Sequence, residues 1–288
     1  MSFLKKNICD GLRKTASVLF TSVCDNKCVH CISRKTLENM KKDKPRVDEL
    51  VDSIFNSDVD YEVVSILGGE PCLFLDELFE FIVKIRAKKP SMRIELTTAL
   101  PETCYKFKEK FFLVLKMCDF VILSAQSHLE PIADKIRGTT SHYDRQSFYK
   151  ELPFKEKIQV SFLLTQEMLI PQLVTDCVNY YSSLGFQSVR INEMSGTQYY
   201  YSFEDIMDVK MKSAFSHGCL TKVNKFFPDA KSPVYLRRRC FVVEPTQQAS
   251  RMDILKIYMV KIAKIFGYKN HLHRYHMPDS EIKTNEEI

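Results

Sequence analysis

Three cysteines lie close together in one short stretch of the chain. Cys24, Cys28 and Cys31 have the spacing C-x3-C-x2-C and follow the apolar run 17–23, which predicts a buried strand. Three thiolates on one loop can bind three irons of a cubane iron–sulfur cluster, and the fourth iron is then open for chemistry. The alternatives are buried thiols without a metal, or a zinc knuckle with His30 as fourth ligand, although this spacing is unusual for zinc.

A second motif follows the next predicted strand. Residues 61–67 form that strand, and the sequence GGEP at positions 68–71 comes directly after it. Glycines are common in ordinary strand-to-helix turns, but they also let a backbone approach a ligand closely. The turn stands at the carboxyl end of a strand, which is the end that carries the active site in β/α barrels.

The two motifs, in this order and each after a predicted strand, resemble those of radical S-adenosylmethionine enzymes. The resemblance implies a [4Fe–4S] cluster on the three cysteines, with the amino and carboxylate groups of S-adenosylmethionine on the open iron. It implies reductive cleavage of this cosubstrate to a 5′-deoxyadenosyl radical that abstracts a hydrogen atom from a substrate. It also implies a one-electron donor such as a flavodoxin. Because the cofactors carry the chemistry, no catalytic side chain is assigned.

The resemblance also implies residues that contact S-adenosylmethionine. The GGEP backbone offers acceptors to its ammonium group, the backbone at His30 contacts the adenine, and polar residues in later strands take the ribose hydroxyls or the carboxylate. The residues assigned in this way are His30, Gly68, Gly69, Glu70, Ser124, Ser161 and Arg190. Thr98 and Gln126 end two other predicted strands and are further candidates for facing the cofactor or the substrate.

Arg190 stands within an otherwise apolar predicted strand. An unpaired buried charge is costly, so this guanidinium needs a partner. The carboxylate of the cosubstrate is one candidate, and Glu193 or another acid of the protein is the structural alternative.

Strands and helices alternate over residues 15–195. The predicted strands are 17–23, 61–67, 93–98, 119–124, 158–165 and 188–193, and the predicted helices are 47–55, 75–88, 101–116, 141–152 and a fifth between Pro171 and Gly185. Nearly continuous apolar strands that alternate with helices predict an α/β fold with a parallel sheet covered by helices. Six units make a partial (β/α)6 TIM-type barrel, which is also the fold that the resemblance implies.

Residues 196–288 are predicted to form a basic, α-rich C-terminal extension, with helices at 203–215 and 250–267. Residues 209–278 contain 14 Lys/Arg and 3 Asp/Glu, although the net charge of the whole chain is only +6. Basic residues interleaved with aromatic ones suit phosphates and stacked bases, which makes nucleic acid a candidate partner. A solvated lysine face is the alternative. Cys219 and Cys240 are read as ordinary thiols rather than ligands of a second cluster or zinc.

Bulk composition limits the class of protein. Apolar residues make up 45% and charged residues 27% of the 288, as in a soluble globular protein. No run approaches the ~18 apolar residues of a membrane span, the N-terminus does not look like a signal peptide, and ten cysteines fit a reducing, cytoplasmic compartment better than a disulfide framework.

The preferred function is radical modification of a nucleic acid or nucleotide. The alternatives are a maturase of a ribosomally made peptide and a non-catalytic iron–sulfur or nucleic-acid-binding protein.

Overall fold

One sheet forms the centre of the molecule. The computed structural model describes residues 14–28, 30–31, 33–140, 142–193, 201–209 and 220–237. Its strands are β1 (Thr15–Leu19), β2 (Val63–Leu67), β3 (Arg93–Thr98), β4 (Phe120–Ser124), β5 (Ile158–Leu164), β6 (Ser188–Glu193), β7 (Leu220–Lys222) and β8 (Val234–Arg237). The strand order is β1-β2-β3-β4-β5-β6-β8-β7, and every pair is parallel except β7 with β8. With β1 and β7 at its two edges, the sheet is a partial, open barrel.

Helices fill the connections between the parallel strands, as the alternation predicts. They are α1 (Arg34–Asn39), α2 (Val47–Phe55), α3 (Leu75–Lys88), α4 (Glu102–Lys106), α5 (Lys108–Met117), α6 (Glu130–Arg137), α7 (Arg145–Glu151), α8 (Pro171–Ser183) and α9 (Phe203–Met207). Nowhere in the described part of the chain is a helix long and apolar enough to cross a membrane. The predicted α/β class and partial barrel are confirmed.

Several boundaries differ from the sequence-based expectation. The predicted helix 101–116 is two helices, because the backbone leaves the helical region at Phe107 (φ −118°, ψ 47°). Helix α9 ends at Met207 because Asp208 adopts a left-handed conformation (φ 48°). Strands β7 and β8, which no periodicity predicted, extend the sheet beyond β6. The predicted helix 250–267 and both Cys219 and Cys240 lie outside the described residues.

The sheet has an apolar face and a polar face, since successive side chains of a strand point to opposite sides. The apolar face packs into the core with the helices, and it includes Val18, Ile66, Leu96, Leu123, Val160, Ile191 and Leu236. The other face, called the inner face below, carries Ser17, Ser65, Glu95, Ser124, Ser161, Arg190, Tyr235 and Arg237, as the strand register shows. Polar chemistry in this fold is therefore concentrated on the inner face and at the strand ends.

Candidate functional site

The GGEP turn is hydrogen-bonded to residues that directly precede the three cysteines. The backbone hydrogen bonds here run from Phe20 N–H to the Leu67 carbonyl at 2.8 Å, from Gly69 N–H to the Thr21 carbonyl at 2.7 Å, and from Glu70 N–H to the Val23 carbonyl at 2.8 Å. They continue the pairing of β1 with β2 past the ends of both strands. The GGEP turn therefore lies against the segment that leads into Cys24.

Both glycines of the turn are needed for this approach. A Cβ at Gly69 would lie 2.1 Å from the Val23 carbonyl oxygen, and one at Gly68, whose φ is +140°, would lie 2.6 Å from the Thr21 carbonyl oxygen. The sequence interpretation was that the glycines let the backbone approach the cosubstrate. The structure adds a nearer neighbour, the backbone of residues 20–23 just before Cys24, while a contact of the turn with the ammonium group stays a prediction.

The Glu70 carboxylate ties the ends of β2 and β3 together. It is buried and accepts hydrogen bonds from Cys72 N–H at 3.0 Å, the Thr98 hydroxyl at 2.7 Å and Ala99 N–H at 2.7 Å. Thr98, one of the candidates for facing the cofactor, is buried and donates to Glu70. The geometry makes the Glu70 side chain a positioning group, and its contact with S-adenosylmethionine stays a prediction.

Glu70 should give the protein a measurable pH dependence. Burial raises the pKa of its carboxyl to about 7 from the ordinary 4.5, against the opposing effect of its three hydrogen bonds. A folded pKa above the unfolded one means that the folded state binds more protons between these values, so stability falls as pH rises through this window. Across this pH window, the free energy of unfolding of the wild type should fall by about 2–3 kcal/mol relative to that of Glu70→Gln.

Urea unfolding of both proteins at several pH values measures this difference. The exposed Glu156 provides the control, because Glu156→Gln should keep the pH dependence of the wild type. Parallel stability curves for wild type and Glu70→Gln would refute the effect.

The cluster loop, residues 24–31, is held from two sides. The Arg34 guanidinium donates to the Lys27 carbonyl at 2.8 Å and also to the Cys28 carbonyl. On the other side, Lys27 N–H donates to the Arg137 carbonyl at 2.8 Å. Gly138 follows with φ +66°, and a Cβ there would lie 2.8 Å from the Lys27 carbonyl oxygen. No motif in the sequence marks these supports.

Arg137, whose carbonyl contacts Lys27, also belongs to a buried ion-pair network. Two arginines share two acids: Arg137 lies 3.3 Å from Glu130 and 3.5 Å from Asp134, and Arg145 lies 3.1 Å and 3.5 Å from the same two carboxylates. Arg137, which is fully buried, also donates to the Ala125 carbonyl at 2.7 Å, and Arg145 donates to the Leu100 carbonyl at 3.3 Å. The network thereby links the ends of β3 and β4 to the cluster loop.

The three cysteines carry free thiols, which are the groups that bind an iron–sulfur cluster. Cys24 is exposed, and Cys28 and Cys31 are half-buried free thiols. No three His, Cys, Asp or Glu side chains of the described residues converge as ligands of one ion. In a cubane site each thiolate binds a different iron, so its ligands need not converge on one point. Burial raises the pKa of Cys28 to about 11, so metal binding must displace the thiol proton.

His30 lies within the cluster loop as a neutral imidazole. Burial lowers its pKa to about 4, and its Nδ1 is buried without a hydrogen-bond partner. The contact of its backbone with adenine remains an expectation from the resemblance.

Three of the predicted residues are neighbours on the inner face. The register pairs Ser124 with Ser161 and Ser161 with Arg190. The Ser161 hydroxyl accepts from Arg190 Nη2 at 3.3 Å and from Asn192 Nδ2 at 2.7 Å. Strands β4, β5 and β6 therefore present one continuous polar row.

Arg190 keeps an unsatisfied atom. Its Nε is buried without a hydrogen-bond partner. Glu193, the structural alternative as partner, lies on the opposite face of β6 and accepts from Phe203 N–H at 3.0 Å. Burial and the charge of Arg237 lower the pKa of Arg190 to about 9, and Glu95 of the inner face acts against this. Of the acids considered as structural partners, Glu193 is therefore on the wrong face, and Glu95 is an acid that does act on Arg190.

Gln126 stands at the end of β4 in a strained conformation. Its φ is 70°, in the left-handed region, and its buried Oε1 has no hydrogen-bond partner. Strained non-glycine residues cluster at functional sites, so Gln126 stays a candidate for contact with the cofactor or the substrate.

Comparison with known proteins supports these observations. A family model described as a 4Fe-4S single cluster domain matches residues 9–142, which include the three cysteines and the GGEP turn. Curated protein sequences contain no match to the chain.

Several solved structures share the fold. Streptococcus suis SuiB bound to S-adenosylmethionine matches with a TM-score of 0.50 and 18% identity, over 70% of this chain and 44% of SuiB. SuiB bound to its precursor peptide SuiA matches with the same score and identity, over 66% and 41%. A radical SAM methyltransferase from Sphaerobacter thermophilus has a TM-score of 0.49 at 12% identity, over 78% and 66%. The match takes in less than half of SuiB, and at these identities it shows the fold alone.

The motifs, the matched domain and the sheet agree with one another. The family model places a 4Fe-4S single cluster domain at residues 9–142, which supports a [4Fe–4S] cluster on the three cysteines. SuiB, which shares the fold, has been solved with S-adenosylmethionine bound.

Proposed function

We propose that this protein is a radical S-adenosylmethionine enzyme that abstracts a hydrogen atom from its substrate. The observation that carries the proposal is the set of backbone hydrogen bonds that hold the GGEP turn against the segment leading into Cys24. When bound, the cluster and S-adenosylmethionine supply an electron and a 5′-deoxyadenosyl radical for that abstraction. Cys24, Cys28 and Cys31 would hold three irons, and the carbonyls of Gly68 and Gly69 would accept from the ammonium group.

The remaining residues would position and shield the cosubstrate. The buried Glu70 carboxylate keeps the turn against the end of β3. His30 would border the adenine through its backbone, and Ser124 and Ser161 would meet the ribose hydroxyls. Arg190 would bind an anionic group on the inner face. The cosubstrate carboxylate is the ligand that the resemblance favours for it.

The preferred substrate class is a nucleic acid or nucleotide. It is supported by the charge of the described extension, where Lys222, Lys225 and Lys231 are exposed and Lys225 lies 4.7 Å from the Phe226 ring centroid. Arg238, Arg239 and the basic segment after them lie outside the described residues. A peptide maturase is the alternative, since SuiB has been solved with its precursor peptide. We propose that the enzyme works in the reducing cytoplasm and receives its electron from a donor such as a flavodoxin.

Replacing Cys28 tests the proposal. After anaerobic reconstitution with iron and sulfide, the wild type should bind about four irons and release 5′-deoxyadenosine on reduction with S-adenosylmethionine. Cys28→Ala should lose the cluster and all detectable product. Cys177→Ala removes a buried thiol of α8 and should keep both.

Two results would contradict the proposal. A Cys28→Ala protein that still forms 5′-deoxyadenosine would refute the cluster assignment. A wild type without iron or product would favour the non-catalytic iron–sulfur or nucleic-acid-binding alternative.

A further inference from the structure

The side chain of Arg34 lies against the backbone of the cluster loop. Arg34 is the first residue of α1, and its half-buried guanidinium donates to the Lys27 carbonyl at 2.8 Å and to the Cys28 carbonyl. Both carbonyls lie between the first and the last of the three cysteines. A guanidinium does not lose its proton in a protein. The cluster loop therefore has a permanent positive charge in contact with its backbone.

This charge has no acidic partner in the described part of the chain. No Asp or Glu there forms an ion pair with Arg34, and Glu38, one turn further along α1, is exposed. Asp25 belongs to the cluster loop, but its Oδ1 accepts from Asn26 Nδ2 at 3.1 Å. The two groups that Arg34 does contact are neutral carbonyls. Its positive charge is therefore not cancelled by an ion pair among these residues.

The other arginine at the cluster loop differs from Arg34 in this respect. Arg137 contacts the loop through its backbone carbonyl, which accepts from Lys27 N–H. Its guanidinium lies 3.3 Å from Glu130 and 3.5 Å from Asp134, so acids of the ion-pair network offset its charge. Of the two arginines, Arg34 is therefore the one whose charge acts on the cluster loop without an acid beside it.

A fixed positive charge favours the more negative of two states beside it. Reduction adds one electron to a cluster that three thiolates already hold, and the reduction potential of such a cluster depends on net charge and on its surroundings. In a half-buried place the charge is less screened than in open solvent. We propose that Arg34 raises the reduction potential of the cluster, so that a one-electron donor can reduce it more readily. This inference rests on the proposed function and assigns a residue to its electron-transfer step.

Redox titration of the reconstituted protein with dithionite, followed by electron paramagnetic resonance, tests the inference. Arg34→Gln removes the charge and keeps an amide that can donate to a carbonyl. Its equilibrium constant for reduction should fall about tenfold, which is a shift of about 59 mV to a more negative potential. Arg34→Lys keeps the charge without the planar fork and should stay near the wild-type potential. Arg46→Gln removes an exposed arginine that pairs with Glu49, and it should not change the potential.

Iron content distinguishes an effect of charge from mere support of the loop. If Arg34 only supported the loop, its variants would bind less iron, but the clusters that formed would keep the wild-type potential. Where Arg34→Gln binds too little iron to titrate, Lys27→Gln carries the test. Lys27 is exposed, and the substitution leaves its backbone carbonyl in place for Arg34. The potential should then fall by less than in Arg34→Gln, and most clearly at low salt.

Two results would overturn the inference. They are equal potentials in the wild type and the variant that carries the test, and a fall of the potential in Arg34→Lys as large as that in Arg34→Gln. Formation of 5′-deoxyadenosine is measured separately. A wild type that forms it, with a potential that does not depend on Arg34, loses only this inference. A wild type whose potential does depend on Arg34 but that forms no 5′-deoxyadenosine loses the proposed function.

Discussion

Gly69→Ala is expected to prevent cluster assembly and to destabilise the fold by about 3 kcal/mol. The added methyl group would lie 2.1 Å from the Val23 carbonyl oxygen and 2.6 Å from the Val23 carbonyl carbon. Both atoms belong to backbone, which no change of rotamer can move aside. The turn must therefore separate from the segment that leads into Cys24, and the hydrogen bonds of Gly69 and Glu70 to Thr21 and Val23 are lost with it.

Gly185→Ala is the matched control for this prediction. Gly185 has φ +81°, so alanine is strained there by roughly 1–2 kcal/mol. Nothing lies within 4 Å of an added Cβ, so the substitution does not push on a neighbour. Iron content after reconstitution and urea unfolding measure both variants. Full iron content in Gly69→Ala, or equal loss of iron in the two variants, would contradict the steric explanation.

Arg137→Met is expected to lower the free energy of unfolding by about 3–5 kcal/mol and to reduce iron incorporation. Removal of one partner from a buried ion-pair network leaves charge without compensation. Glu130 and Asp134 would then keep Arg145 but lose their second arginine, and the Ala125 carbonyl would lose the Arg137 donor. The Arg137 carbonyl that holds Lys27 N–H would shift with the end of α6, and the cluster loop would follow.

Two further variants sharpen this test. Lys135→Met changes an exposed residue of the same helix, 3.5 Å from Glu167, and should keep wild-type stability and iron content. Adding Glu130→Gln to Arg137→Met removes one uncompensated acid and should recover part of the lost stability. Unfolding by urea and iron analysis decide both points. Wild-type iron content in a folded Arg137→Met protein would show that the network does not support the cluster loop.

Local patterns were sufficient to predict the elements that carry the site. Continuous apolar runs predicted the six parallel strands. The cysteine spacing and the GGEP sequence marked two loops at the carboxyl ends of these strands. The structure then adds pairings between residues far apart in sequence. Glu70 with Thr98, and Lys27 with Arg137, depend on how strands and helices pack, which no local pattern contains.

The alternation of side chains along a strand is enough to exclude the pairing of Arg190 with Glu193. Side chains in a strand alternate with a period of two, so residues 190 and 193 of the same strand point to opposite faces. Glu193 was therefore never able to meet Arg190 across β6, and the structure confirms this through its bond to Phe203. Strands β7 and β8 were missed for another reason. They are three and four residues long, too short for periodicity to distinguish from a loop.

The open sheet also sets a length for the substrate. The cluster loop and the GGEP turn follow β1 and β2, whereas Arg190 and Arg237 stand on β6 and β8. From β2 to β6 there are four inter-strand steps of about 4.8 Å along the curve of the sheet. A molecule held by the polar row of β5 and β6 would have to extend back across the interior before any of its hydrogens came near the cluster loop. The width of the sheet would then select a substrate by its reach.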